Sequence, residues 1–143
     1  MPVAPAEPST HVAEVEWRPS GDDIRAHRVR LSDQELEGSC QPSLGGDEAK
    51  ADPEQLFVSA LATCHMLWFL DLARRRELRV AAYRDTPEGT MDGECFTRVV
   101  LRPSVEWGGD APSAEVIERL HARAHELCFI ARSVACPVDV EPR

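Results

Sequence analysis

The chain has 143 residues, 43% of them apolar and 29% charged, with a formal net charge of −9. One domain of that length can hide roughly two thirds of the surface its unfolded chain exposes, so a sizeable core is available and composition excludes the disordered and membrane classes. The acidic balance, with Lys50 the only lysine, argues against a nucleic-acid partner, because no Lys/Arg run exists to displace phosphate counterions.

Residues 1–10, MPVAPAEPST, have neither a basic start nor an apolar core. They read as a flexible tail and not a secretory signal, ahead of one domain over 11–143. Residues 11–17 alternate, with Ala13, Val15 and Trp17 on one side and glutamates on the other, as a half-buried strand does. After the turn RPSGDD, residues 24–31 (IRAHRVRL) predict a second strand in which Arg25, Arg28 and Arg30 either protect an edge or turn one guanidinium inward to an anion. The stretch 32–50, rich in Gly, Ser, Asp and Glu, predicts a long loop with room for a short strand and no chemistry, Cys40 included.

Residues 51–76 form the stretch around which the rest is organised. Asp52 can cap a first turn, Pro53 suits the first helical position, and Gln55 supplies the other arm of a capping box. Arg74, Arg75 and Arg76 complement the negative end of the helix dipole. Between Leu56 and Leu70 only Ser59, Thr63 and His65 are polar, so the pattern predicts a buried central helix without a solvent face. That apolar run is too short for a membrane span.

Beyond it, residues 78–85 and 95–107 carry strand propensity and are separated by the turn-rich TPEGTMDGE, with Pro103 bending or edging the second strand. Ser113 can cap an amphipathic helix running to about Cys128, with Ile117, Leu120, Ala124 and Leu127 as its apolar stripe. The tail VACPVDVEPR predicts a last strand. The order of strands, long helix, strands, helix and strand predicts an α+β fold with a largely antiparallel sheet.

Five cysteines, Cys40, Cys64, Cys95, Cys128 and Cys136, are an odd number on a chain large enough to fold without staples, which favours cytoplasmic redox or metal chemistry over a disulfide framework. Taken alone, Cys64 reads more readily as a small core residue than as a nucleophile. Cys128 ends a helix beside a loop, where a thiol can reach a partner sulfur, so the two could form a reversible disulfide. His121, His125 and Cys128 share one helical face and could hold zinc only with a fourth ligand such as Cys64 or His65; the plainer reading has both histidines bordering the stripe. Cys95 and Cys136 read as structural strand cysteines.

The segment DPEQLFVSALATCHMLWFL, with Glu54 after the proline, SALATC and Cys64, resembles the central-helix signature of the OsmC/Ohr family of thiol peroxidases. HARAHELCFIARSV resembles the family's second signature, in which its other cysteine, here Cys128, ends a helix before the last strand. The resemblance covers about 11–141 and implies an intertwined homodimer of OsmC-like fold. It further implies that Cys64 attacks an organic hydroperoxide, Cys128 resolves the sulfenic acid as a disulfide, and an external thiol or dithiol restores both. An arginine with Glu54 then holds the Cys64 thiolate, and Arg25 is the choice, with Arg28 and Arg30 as alternatives. Two features depart from the family: Phe129 follows Cys128 where proline is usual, while a CPV triplet lies at Cys136, which leaves Cys136 as the alternative to Cys128 for the resolving residue; and Trp68 makes the run after Cys64 bulkier. No cofactor, metal, nucleic acid or membrane enters this reading. The rival from another class is a non-catalytic protein of the same fold that binds a small apolar ligand or zinc.

Overall fold

The computed structural model describes residues 7–143; of the expected tail, residues 1–6 lie outside them. Eight strands and two α-helices follow in the order β1 (Glu14–Glu16), β2 (His27–Leu31), β3 (Gln34–Gly38), α1 (Pro53–Arg75), β4 (Val80–Arg84), β5 (Glu88–Met91), β6 (Phe96–Leu101), β7 (Ser104–Trp107), α2 (Ala114–Leu127) and β8 (Val138–Val140). All pairings are antiparallel except β6 with β8, so the class is α+β. The strands form three small sheets, β1-β2-β3, β4-β7 and β5-β6-β8.

Two compact units divide the chain at Phe57 and Val58. In the N-terminal unit, β2 is shorter than the sequence suggests, because Ile24 and Arg25 belong to a turn that precedes it. The stretch expected as loop contains β3, joined to β2 by Ser32 and Asp33, with Ser32 at φ 56°. QELEG has weak strand propensity, yet its acids face arginines across the ladder: Arg28 pairs with Glu35 at 3.7 Å, while on the other side of β2 Arg30 meets Glu14 at 3.2 Å. His27 lies opposite Gly38, where a Cβ would stand 2.2 Å from the imidazole Nε2, so the ring occupies the space that glycine leaves.

The capping box at the start of α1 is complete: the Gln55 N–H donates to Asp52 Oδ1 at 2.7 Å and the Asp52 N–H donates to Gln55 Oε1 at 3.0 Å. At the other end Arg74 and Arg75 bond the buried Asp71 carboxylate at 3.0 and 2.7 Å. They neutralise a buried charge rather than meeting only the dipole. The helix is not covered all round within one chain, so the burial expected of it is not completed by the single chain. Ser59 and Thr63 are exposed and Leu67 is 44% exposed. Its 23 residues also exceed the run judged too short for a span; by length and composition alone it could cross a membrane. Core helices pass the same test, and this one carries a buried Asp71 and packs through Trp68 and Phe69 against α2 residues Leu120 and Ala124.

In the C-terminal unit, β4-β7 and β5-β6 are two arms of one interrupted hairpin. The expected turn TPEGTMDGE contains β5, and the reversal is confined to residues 92–95, with Gly93 at φ 106°. At the interruption, Asp85 Oδ1 accepts the Arg102 N–H at 2.8 Å, just before Pro103. On α2, Ser113 Oγ accepts the Val116 N–H at 3.3 Å, and burial of Leu120 and Ala124 places the stripe inward as its spacing predicts. β8 adds to β6 through Val99–Val138 and Leu101–Val140 pairs, clamped by Arg98 to Asp139 (2.6 Å) and Glu141 (3.0 Å).

Candidate functional site

The site is built where α1 meets the C-terminal end of α2. On α1, Cys64 and Trp68 are four residues apart and share a face. Trp68 and Phe69 are fully buried, and Cys64 lies half-buried against their cluster. Each such aromatic side chain contributes about 1.5–3 kcal/mol through burial, enough to fix how α1 seats on α2. Cys128 is the residue that closes α2, with its N–H on His125 O at 3.3 Å. It is 1% exposed.

Cys64 and Cys128 are both free thiols, and Cys64 is the thiol that bears on Cys128. Burial pushes the Cys128 thiol up to about 12, and the neighbouring Cys64 thiol acts in the same direction. Working against this, the Ala131 N–H points at Cys128 Sγ from 3.4 Å and the Ile130 N–H adds to it. The turn after Cys128 is tied down twice more, by the Arg132 N–H on Cys128 O (3.1 Å) and by Ser133 Oγ donating to Phe129 O (2.7 Å). Phe129 meets the Trp68 indole edge-on, with ring centroids 5.4 Å apart and planes at 75°, a contact worth about 0.5–1.5 kcal/mol beyond its buried area.

Beside the thiols is a pair that the sequence did not announce. His65 Nε2 and His121 Nδ1 are 3.1 Å apart with their rings nearly parallel, and His121 stacks on Phe69 at a centroid distance of 4.3 Å. One imidazole donates and the other accepts. Burial lowers His65 to about 3, with His121 and His125 adding to the shift, and lowers His121 to about 4. The plainer reading of His121, bordering the stripe and either hydrogen-bonded or solvated, holds in its hydrogen-bonded form. The alternative zinc set is not gathered: His121 turns to His65 and Cys128 to Cys64. Among the described residues no group of three or more His, Cys, Asp or Glu side chains is arranged to hold a metal ion.

The remaining expected residues fall elsewhere. Arg25 and Glu54 belong to the N-terminal unit. Arg25 Nε donates to Leu44 O at 2.9 Å, and its side chain forms no ion pair with a described residue, whereas Arg28 and Arg30 face glutamates. Glu54 sits in the first turn of α1 with one carboxylate oxygen buried and without a hydrogen-bond partner. Cys136 precedes β8 instead of lying within it. Cys95 likewise precedes β6 instead of lying within it, and Asp92 accepts its backbone N–H at 3.0 Å and its thiol at 3.8 Å.

The sequence profile described as OsmC-like protein matches residues 45–143. No curated protein matched the chain. Among solved structures, an OsmC-like protein of unknown function from Vibrio cholerae superposes with a TM-score of 0.86 at 35% identity, over 94% of this chain and 99% of the other. At lower identity the fold is shared with an organic hydroperoxide resistance protein OsmC from Legionella pneumophila (TM-score 0.69, 24% identity, 94% and 95% covered). It is shared also with the organic hydroperoxide resistance protein OhrB of Bacillus subtilis (0.63, 19%, 92% and 98%). The profile match over most of the chain, together with this structural agreement, shows that the chain belongs to the OsmC family.

Proposed function

We propose that the protein is a thiol peroxidase that reduces organic hydroperoxides with Cys64 and resolves the product with Cys128. The observation that carries this reading is the pair of free thiols, one on α1 and one closing α2, that meet at the Trp68–Phe129 contact in a chain of the OsmC family. The half-buried Cys64 attacks the outer peroxide oxygen: a sulfur–oxygen bond forms, the oxygen–oxygen bond breaks, and the alkoxide leaves as the alcohol. The Cys128 sulfur then attacks the Cys64 sulfenic acid, and the hydroxyl departs with the thiol proton as water. An external thiol or dithiol supplies the two electrons that restore both cysteines. Leu61, Met66, Leu67, Trp68 and Phe69 flank Cys64 in sequence and favour substrates with an apolar body over hydrogen peroxide.

The working unit in this proposal is a homodimer with Arg25 and Glu54 completing the thiolate site. Three features support it. Only 39% of the apolar window of α1 is buried within one chain. Val15, Val29 and Leu36 form one apolar row across β1-β2-β3, with Val15 69% and Leu36 38% exposed. Glu54 keeps a buried carboxylate oxygen without a partner, and it lies about 15 Å along the helix from Cys64, too far for its own chain's thiol. A two-fold assembly covers the apolar surfaces and brings a glutamate to a thiol twice. Titration of free thiols before and after one equivalent of cumene hydroperoxide tests the reading: two are lost per chain in the peroxidase, and none in a protein that only binds ligands.

A further inference from the structure

Phe129 stands where the family resemblance leads one to expect proline, and Trp68 is the bulky residue one turn beyond Cys64. The structure joins these two departures in one edge-on contact. Trp68 is fully buried, so its ring is a fixed reference on the face of α1 that carries Cys64. Phe129 is adjacent in sequence to Cys128 and packs half-buried against the same core cluster. The bonds of Ala131, Arg132 and Ser133 make residues 128–133 one rigid turn. Such a turn moves as a body, and its seat on α1 is the Trp68–Phe129 contact.

We propose that Phe129 is a positioning residue: its ring, held on Trp68, keeps Cys128 beside Cys64 so that the sulfenic acid is captured before a second peroxide reaches it. The proposal rests on the peroxidase reading and adds a determinant of its outcome. Two reactions compete for the Cys64 sulfenic acid. In one, the Cys128 sulfur displaces the hydroxyl, giving the disulfide and water. In the other, the sulfenate attacks a second hydroperoxide, gains its outer oxygen to become sulfinic acid, and releases another alcohol. The first depends on where Cys128 is held and the second does not. Loosening the turn therefore shifts the partition without slowing the first oxidation.

The test measures, per turnover, the fraction of Cys64 found as sulfinic acid by mass spectrometry over a range of cumene hydroperoxide concentrations, together with the rate of the first oxidation. Phe129→Ala is expected to raise the sulfinic fraction on the order of ten-fold, in line with the sensitivity of intramolecular reactions to small misplacements. The first oxidation should stay within about two-fold of wild type on the same argument. Phe129→Tyr, which keeps the ring, should restore the wild-type partition, and Phe129→Leu should fall between; the Leu variant decides the matter if the Ala variant does not fold. An unchanged sulfinic fraction in a variant whose parent forms the Cys64–Cys128 disulfide overturns the role of Phe129 alone. Equal slowing of both steps also overturns it, because that is the signature of general damage. A parent that forms no disulfide removes the peroxidase reading and this proposal with it.

Discussion

Lowering the pH from 7.5 to 5 should destabilise the fold through the buried histidine pair. His65 and His121 are depressed to about 3 and about 4 in the folded protein, chiefly by burial, whereas an unfolded histidine titrates near 6.5. Between these values the unfolded chain binds more protons than the folded one, so stability falls as pH falls. The loss begins near pH 6.5 and saturates only below the folded-state values. At pH 5 each histidine is about 1.5 pH units below its unfolded value, and at about 1.36 kcal/mol per unit this is about 2 kcal/mol each, or roughly 4 kcal/mol for the pair. That is a large share of the 5–15 kcal/mol typical of a domain. Asp85 acts in the opposite direction: burial raises its carboxyl, so the folded state takes up its proton more readily and gains stability as pH falls. Urea unfolding at fixed protein concentration, at pH 7.5 and 5, measures the net change. His65→Gln isolates one histidine and should remove about half of the loss. A wild type whose stability is flat over this range, or equal pH dependence in wild type and His65→Gln, refutes the neutral-pair account.

Cys64→Ser should abolish peroxide consumption, whereas Cys128→Ser should complete one oxidation and leave Cys64 as sulfenic or sulfinic acid by mass spectrometry; a Cys128→Ser variant that turns over like wild type moves resolution to another cysteine. Arg25→Ala should slow iodoacetamide alkylation of Cys64 at neutral pH on the order of ten-fold, corresponding to loss of about 1.4 kcal/mol of charge stabilisation of the thiolate, and Arg28→Ala should matter less; equal rates would remove Arg25 from the site. Light scattering at micromolar concentration should give twice the chain mass of 15.9 kDa. Co-refolding inactive Cys64→Ser with inactive Glu54→Ala chains should then regenerate activity, and a monomer, or no complementation, would contradict the shared site.

How much of this was legible in the sequence depends on how local each feature is. The caps of both helices, the inward stripe of α2 and the turn around Gly93 rest on residues within four positions of one another, and all appear as their patterns predict. β3 was hidden because its Glu-rich sequence is supported by arginines on β2, a cross-strand effect that propensity does not contain. The His65–His121 bond spans 56 residues, and nothing local to His65 names its partner. A polar side chain in an otherwise apolar run, facing a histidine beside a second apolar stripe, was the available signal. The family signatures singled out Cys64 and Cys128, and the fold adds what they could not contain: the edge-on contact of Phe129, next to Cys128, with Trp68, one turn beyond Cys64. The lack of a polar face on α1 predicts a covered helix, and the pattern of one chain cannot say how much of that cover the same chain provides; here it is part of it.

The central claim is that Cys64 and Cys128 form a redox pair. The most direct measurement is a peptide map of the wild-type protein treated with one equivalent of cumene hydroperoxide and alkylated without reduction. The account predicts one cross-linked species joining the peptides of Cys64 and Cys128, absent before oxidation and lost on adding dithiothreitol, with Cys40, Cys95 and Cys136 alkylated as free thiols. A map in which Cys64 and Cys128 both remain alkylated after the peroxide has been offered, or in which Cys64 is joined to Cys136, would contradict it.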